Sequence, residues 1–210
     1  MEGSPEAAHR LIMKRIRELT ARRTEPLLVA VDGQSGAGKS TLSRAVGAAL
    51  GATVIDSDDF YAGGSESVWD ARSASEKADL CIDWRRLRRE VIEPLLQGRS
   101  AAWHPFNWAT GEGQASQTIE GQPTRVVILD GAYSARPELS DLIGLSVLVD
   151  VPRDVRRNRL IAREGYGAIN EWYKRWDEAE MYYFTQVRPP SSYDLVVSNA
   201  ETAWLPGPSR

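Results

Sequence analysis

The chain has 210 residues, enough for one α/β domain with a real core, and its 42% hydrophobic and 26% charged residues are those of a soluble globular protein. A formal net charge of -3 gives no general attraction to nucleic acid or anionic membranes, so neither is expected as a partner. The single cysteine, Cys81, excludes an internal disulfide, and no apolar run approaches the length of a membrane span, so the chain reads as cytoplasmic.

In chain order, residues 5–23 predict an amphipathic helix with Leu11, Ile12, Ile16 and Leu19 as its apolar stripe and basic residues around it. Such a helix packs on its own domain, with an interface to a second copy of the chain left open. Residues 26–31, Pro-Leu-Leu-Val-Ala-Val, form a buried first strand, and residues 40–50 have helical apolar spacing at Leu42, Ala45, Val46, Ala49 and Leu50. Residues 52–55 give a second strand that runs into Asp56, Asp58 and Asp59. Residues 62–76, rich in Gly, Ser, Ala and Glu, read as a mobile loop. Residues 83–97 form a helix capped by Asp83, with Leu87, Val91, Leu95 and Leu96 facing inward and Gly98 stopping it. Residues 99–124 are expected to be irregular. Buried strands follow at 125–130, 145–150 and 194–198, separated by an Arg-rich helix at 152–163 and a Trp/Tyr-rich helix at 168–187. Nearly continuous apolar strands alternating with helices predict about five parallel strands covered on both faces.

Between the first strand and its helix lies Gly33-Gln34-Ser35-Gly36-Ala37-Gly38-Lys39-Ser40-Thr41. Gly33, Gly38, Lys39 and Ser40 fill every fixed position of the phosphate-cradling P-loop, in the strand–loop–helix context the motif requires. The glycines let amide N–H groups close on an anion, Lys39 reaches the outer phosphates, and the Ser40 hydroxyl is placed for Mg²⁺. Residues 33–41 are therefore the expected triphosphate site, with ATP and Mg²⁺ as cofactors. In an open parallel sheet the ligand lies beyond the carboxyl ends of the strands. One of the carboxylates after the second strand can take a proton from an acceptor hydroxyl, and Asp130, after the third, can hold Mg²⁺ directly or through water. Arg156, Arg159 and Arg163 recur at helical spacing and suit stabilisation of charge on a transferring phosphoryl group. A nucleotide-hydrolysing switch is the rival reading. Against it stand the missing Asn-Lys-x-Asp and Leu-Ser-Gly-Gly signatures and the aromatic-lined stretch at 103–108.

These segments together resemble the uridine kinase family, within the wider group of phosphoribulokinase, bacterial pantothenate kinase and nicotinamide riboside kinase, over residues 27–199. Asp58-Asp59-Phe60-Tyr61 is similar to the family's Asp-Ser-Phe-Tyr, which implies Asp58 as catalytic base and Tyr61 in the acceptor pocket. Ile82-Asp83-Trp84 resembles the Phe-Asp-Trp helix that follows an acceptor-binding acidic segment, implying acceptor roles for Asp79 and Asp83. Pro105-Phe106-Asn107-Trp108 is similar to the segment whose aromatics sandwich a nucleobase, so Phe106 and Trp108, with adjacent His104, are implied to bind acceptor. Val127-Ile128-Leu129-Asp130-Gly131 resembles the strand ending in Glu-Gly, which puts Asp130 in the Mg²⁺-associated place. Asp154-Val155-Arg156 with Arg159 and Arg163 is similar to the phosphate-covering lid, near residues 152–170.

The resemblance thus implies a P-loop NTPase fold with a small helical lid and a kinase domain at 26–199. Within it the acceptor region spans about 58–124, flanked by the helix in 1–25 and a tail at 200–210. It implies catalytic roles for Asp58, Lys39, Arg159 and Arg163, with ATP held by residues 33–41 (Ser35, Gly36, Ala37 and Thr41 included) and Arg156. Departures fall on the acceptor side. The Phe-Asp-x-Pro-Asp-Ala segment reads Glu76-Lys77-Ala78-Asp79-Leu80-Cys81, the Arg-Gly-Arg lid tip reads Glu164-Gly165-Tyr166-Gly167, and Phe106 replaces a tyrosine. A nucleoside such as uridine or cytidine is the implied acceptor. Nicotinamide riboside, a sugar, a cofactor precursor or an antibiotic hydroxyl stays open.

Overall fold

A computed structural model describes residues 4–200, so the tail at 201–210 lies outside the described residues. The strands are β1 (Leu27–Asp32), β2 (Thr53–Asp56), β3 (Ala101–Trp103), β4 (Ile119–Gly121), β5 (Val126–Asp130), β6 (Ile143–Asp150) and β7 (Leu195–Ser198). The helices are α1 (Pro5–Thr20), α2 (Lys39–Leu50), α3 (Glu66–Asp70), α4 (Ala74–Leu80), α5 (Trp84–Leu87), α6 (Glu93–Leu96), α7 (Arg153–Glu164) and α8 (Tyr166–Tyr182). Five strands form a parallel sheet in the order β2-β5-β1-β6-β7, while β3 and β4 pair antiparallel in a separate hairpin. This is a P-loop NTPase fold. Among the described residues no helix is long and apolar enough to cross a membrane.

β1 lies at the centre and all six of its residues are buried. Because side chains alternate across a strand, Leu27, Val29 and Val31 pack with α1 and α2 on one face, and Leu28 and Ala30 pack with the 55–103 region on the other. On the first face Ile12 and Ile16 of α1 are fully buried, each contributing about 2 kcal/mol of apolar burial. Leu11, read above as part of that stripe, is 49% exposed, and Ala8 and Met13 take its place.

Residues 62–76 are not a loop. They hold α3 and the first turn of α4, joined by short turns, the latter helix opened by a reciprocal capping box between Ser73 and Glu76. Trp69 of α3 is 1% exposed, and Arg175 of α8 binds Asp70 at 2.8 Å and Glu66 at 3.2 Å. The small polar residues there serve as helix caps, so composition alone misread them. The helix at 84–96 is broken by a π turn, Arg88–Ile92, just before Pro94, where the proline has no N–H to continue the regular ladder.

Candidate active site

Parallel pairing puts the carboxyl ends of all five strands on one edge, and the strand order decides which residues meet there. β5 lies between β2 and β1, with Asp130 level with Asp56 on one side and with Val31, one residue before Asp32, on the other. Three aspartates distant in sequence thus line up along this edge, on one side of the loop at 33–38.

The loop owes its shape to its glycines. Gly36 has φ +80°, and a Cβ there would lie 2.7 Å from the Arg156 carbonyl oxygen; Gly38 has φ +86°, and a Cβ would lie 2.4 Å from Asn199 Nδ2. Side chains are excluded on that side, and the backbone is left free to cradle an anion. Asp32 anchors the base of the loop. Its fully buried carboxylate accepts from the N–H groups of Gly33 (2.8 Å), Tyr133 (2.9 Å) and Ala135 (3.0 Å) and from the hydroxyls of Tyr183 and Tyr193 (2.9 Å each). Burial pushes its carboxyl above the ordinary range, and these donors oppose the shift.

Arg156 and Arg159 lie behind the loop. Arg156 donates to Ser35 O at 3.2 Å, while Arg159 donates to Gly36 O at 3.4 Å and Ala37 O at 3.3 Å. Both were expected on the phosphates. A loop whose amides turn inward presents its carbonyls outward, and those carbonyls need donors of their own. Arg163 is 58% exposed and pairs with the adjacent Glu164 at 2.7 Å. Lys39 is 8% exposed with Nζ 3.2 Å from Gln34 O, and Thr41 is exposed on the first turn of α2.

Asp130 is 3% exposed, and the Ser43 hydroxyl donates to it at 3.1 Å. Burial pushes its carboxyl up, and the Lys39 ammonium pulls it back toward the charged form. Ser40 and Asp130 together offer the hard oxygen donors that suit Mg²⁺. This ion keeps waters and substrate phosphates in its shell and needs only one or two protein carboxylates. Among the described residues no group of three or more His, Cys, Asp or Glu forms a closed metal cage.

A 3₁₀ turn, Ser57–Phe60, follows β2; it carries Asp58 and Asp59 and is capped by Asp56, the last residue of β2. Asp56 caps the turn through Asp58 N–H at 3.0 Å, and Asp59 accepts from Trp103 Nε1 at 2.9 Å, tying the β3–β4 hairpin to the turn. Asp58 is the exposed member of the three. Tyr61 follows directly, its phenol pushed up to about 12 by burial. It stacks on Trp108 (5.3 Å, 21°), meets Phe106 edge-on (5.0 Å) and stacks on Trp69 (5.7 Å). Phe106 is buried, whereas Trp108 is 57% exposed and forms the outer wall of this cluster.

Three other expected acceptor residues have structural partners. Asp79 is in an ion pair with buried Arg136 at 2.8 Å. Asp83 accepts from Arg86 N–H at 3.0 Å as the cap of α5. The His104 ring contacts the Ala115 and Gln117 carbonyls at 3.1 and 3.3 Å within its own loop.

Sequence reading singled out neither Trp69 nor, beyond its place in a Trp/Tyr-rich helix, Trp176. Trp176 lies 5.0 Å from Trp69 and 6.1 Å from Tyr61, joining α8 to the Tyr61 cluster. It also missed Tyr133, a buried non-glycine residue at φ +67°, and Glu180, which bonds to Ser35 in the loop. The Asp130-Gly131 strand end was the only local signal near Tyr133, and a lone Glu in an aromatic helix gave none.

No family model matches the chain. It is 30% identical over 171 residues to a uridine kinase of Limosilactobacillus reuteri (strain DSM 20016), spanning 78% of this chain and 75% of that one. It is 31% identical over 146 residues to a uridine kinase of Deinococcus deserti, spanning 66% and 69%. Among solved structures, a possible uridine kinase from Bacillus stearothermophilus superposes with TM-score 0.65 at 18% identity, over 89% of this chain and 98% of that one. D-glycerate 3-kinase from Cryptococcus neoformans superposes at 0.53 and 16% identity, over 82% and 89%. The two structural likenesses establish the fold, and the sequence relatives establish the kinship. With a complete phosphate loop beside three strand-end aspartates, the chain belongs to the uridine kinase family and is a small-molecule kinase, a phosphotransferase acting on a hydroxyl acceptor.

Proposed function

We propose that the chain transfers the terminal phosphoryl group of ATP to a hydroxyl of a nucleoside-like acceptor, with Asp58 as general base. The observation that carries this reading is the placement of Asp58 and Tyr61 on one short turn. The turn leaves β2 one strand away from Asp130 and opens onto the Tyr61, Phe106 and Trp108 cluster. A base and an aromatic wall on the same rigid segment hold an acceptor hydroxyl in register with the loop. Lys39 neutralises charge on the outer phosphates, and Arg156 and Arg159 act on the reaction through the loop they brace. Ser40 and Asp130 would hold Mg²⁺, which supplies charge neutralisation of the phosphates when bound.

An ADP-release assay with ATP and with GTP, over nucleosides, sugars and cofactor precursors, tests the assignment. Uridine or cytidine with ATP is expected to turn over. Turnover confined to non-nucleoside acceptors would replace it with a second reading, which one observation favours. Asp79, the carboxylate implied to grip ribose hydroxyls, is held by Arg136. Trp108→Ala is expected to raise the acceptor KM about tenfold, since stacking on a base contributes about 1–3 kcal/mol, and to leave the ATP KM unchanged. An unchanged acceptor KM would remove Trp108 from the pocket.

A further inference from the structure

One buried carboxylate has no part in the reaction as proposed. Glu180 of α8 is 2% exposed, and both its oxygens accept from Ser35 N–H, at 3.2 and 3.0 Å, while Oε1 also accepts from the Ser35 hydroxyl at 2.6 Å. Burial pushes its carboxyl up, and the Lys39 ammonium, the Ser35 donors and the Arg156 guanidinium oppose the shift. Packing alone does not account for this residue, because burying a carboxylate is unfavourable unless specific donors compensate it. The donors here belong to the phosphate loop, 145 residues away in sequence.

In a P-loop the backbone amides receive phosphate oxygens and the lysine reaches the outer two phosphates. Glu180 therefore draws on the same groups, the Ser35 amide and the Lys39 charge, that the outer end of a triphosphate draws on. We propose that Glu180 is a positioning residue of the donor site: it holds Ser35 as an internal anion and yields the amide to the terminal phosphate, so that its charge sets the affinity for triphosphates. Its place on α8 extends the effect toward the acceptor. Glu180 and Trp176 are four residues apart on one helix and so share a face, and Trp176 packs on Tyr61 and Trp69. A terminal phosphate that displaces Glu180 thereby bears on the aromatic wall.

This inference rests on ATP as donor, and calorimetric titration of the whole chain separates the two. Glu180→Gln keeps the shape and removes the charge. A non-hydrolysable ATP analogue is expected to bind this variant about tenfold more tightly than wild type, with AMP affinity within about twofold. Glu180→Ala is expected to shift triphosphate affinity in the same direction. If Glu180 only braced the loop, Glu180→Ala would instead weaken the analogue and AMP alike. Should Glu180→Ala fail to unfold cooperatively, Glu180→Gln decides alone. Analogue binding to Glu180→Gln that equals or falls below wild type overturns the proposal, and absence of triphosphate binding in wild type and both variants overturns the donor assignment itself.

Discussion

Replacing Asp58 by Asn is expected to lower the rate of phosphoryl transfer by about 10²–10⁴-fold, the usual contribution of a positioned general base, with nucleotide affinity within about twofold of wild type. The substitution keeps size and shape, and the turn it sits in is fixed by other groups: the Asp56 cap on Asp58 N–H, fully buried Phe60, and the Asp59–Trp103 contact. Asp58 contributes an exposed carboxylate to that frame. The Asn side chain cannot accept the acceptor hydroxyl's proton, so the loss falls on kcat. Nucleotide affinity is expected to depend on the loop at 33–41, a segment separate from the turn. Single-turnover rates with saturating ATP, alongside nucleotide titration, measure both halves. Turnover retained at the wild-type rate would remove Asp58 as the base, and a parallel loss of nucleotide affinity would make its role structural.

The largest expected effect on stability comes from Asp32→Asn. The carboxylate collects three backbone N–H groups and two tyrosine hydroxyls, from β1's own end, from the segment after β5 and from the C-terminal part of the chain. Every group around it is a donor. An amide of the same size turns one of its two acceptors into a further donor and leaves buried N–H or O–H groups unsatisfied, at about 1–3 kcal/mol each. Total destabilisation of about 3 kcal/mol lowers Tm by about 10 °C in a domain this large. Thermal unfolding followed by circular dichroism checks it. A Tm within about 2 °C of wild type would show that the five contacts are not what holds the loop to the strands behind it.

The loop at 33–41 was fully legible in the sequence because its motif is local. Gly36, Gly38, Lys39 and Ser40 lie within one short stretch of chain, and the strand before them and the helix after them announce themselves by periodicity. The five parallel strands were legible for the same reason: a strand buried on both faces is a continuous apolar run whatever it pairs with. Residues 62–76 were misread because small polar residues both cap short helices and fill loops. Their helices are specified by Trp69 beneath them and by Arg175 pairing from α8, neither visible locally. The arginines of α7 share a face as their spacing implied. Which groups that face meets depended on the loop's carbonyls turning outward, a matter of backbone geometry.

By itself, then, the sequence determined the P-loop motif, the sheet type and the chemical inventory on the strand ends, since each is written in neighbouring residues. Tertiary structure alone decided that β5 lies between β2 and β1, so that Asp130 stands beside both Asp56 and the loop. It alone brought Trp176 onto Tyr61 and Glu180 onto Ser35. Those contacts join residues separated by a hundred positions or more. Their physical cause is the packing of α8 across the carboxyl edge of the sheet, and no local pattern of side chains records where a helix will be laid down.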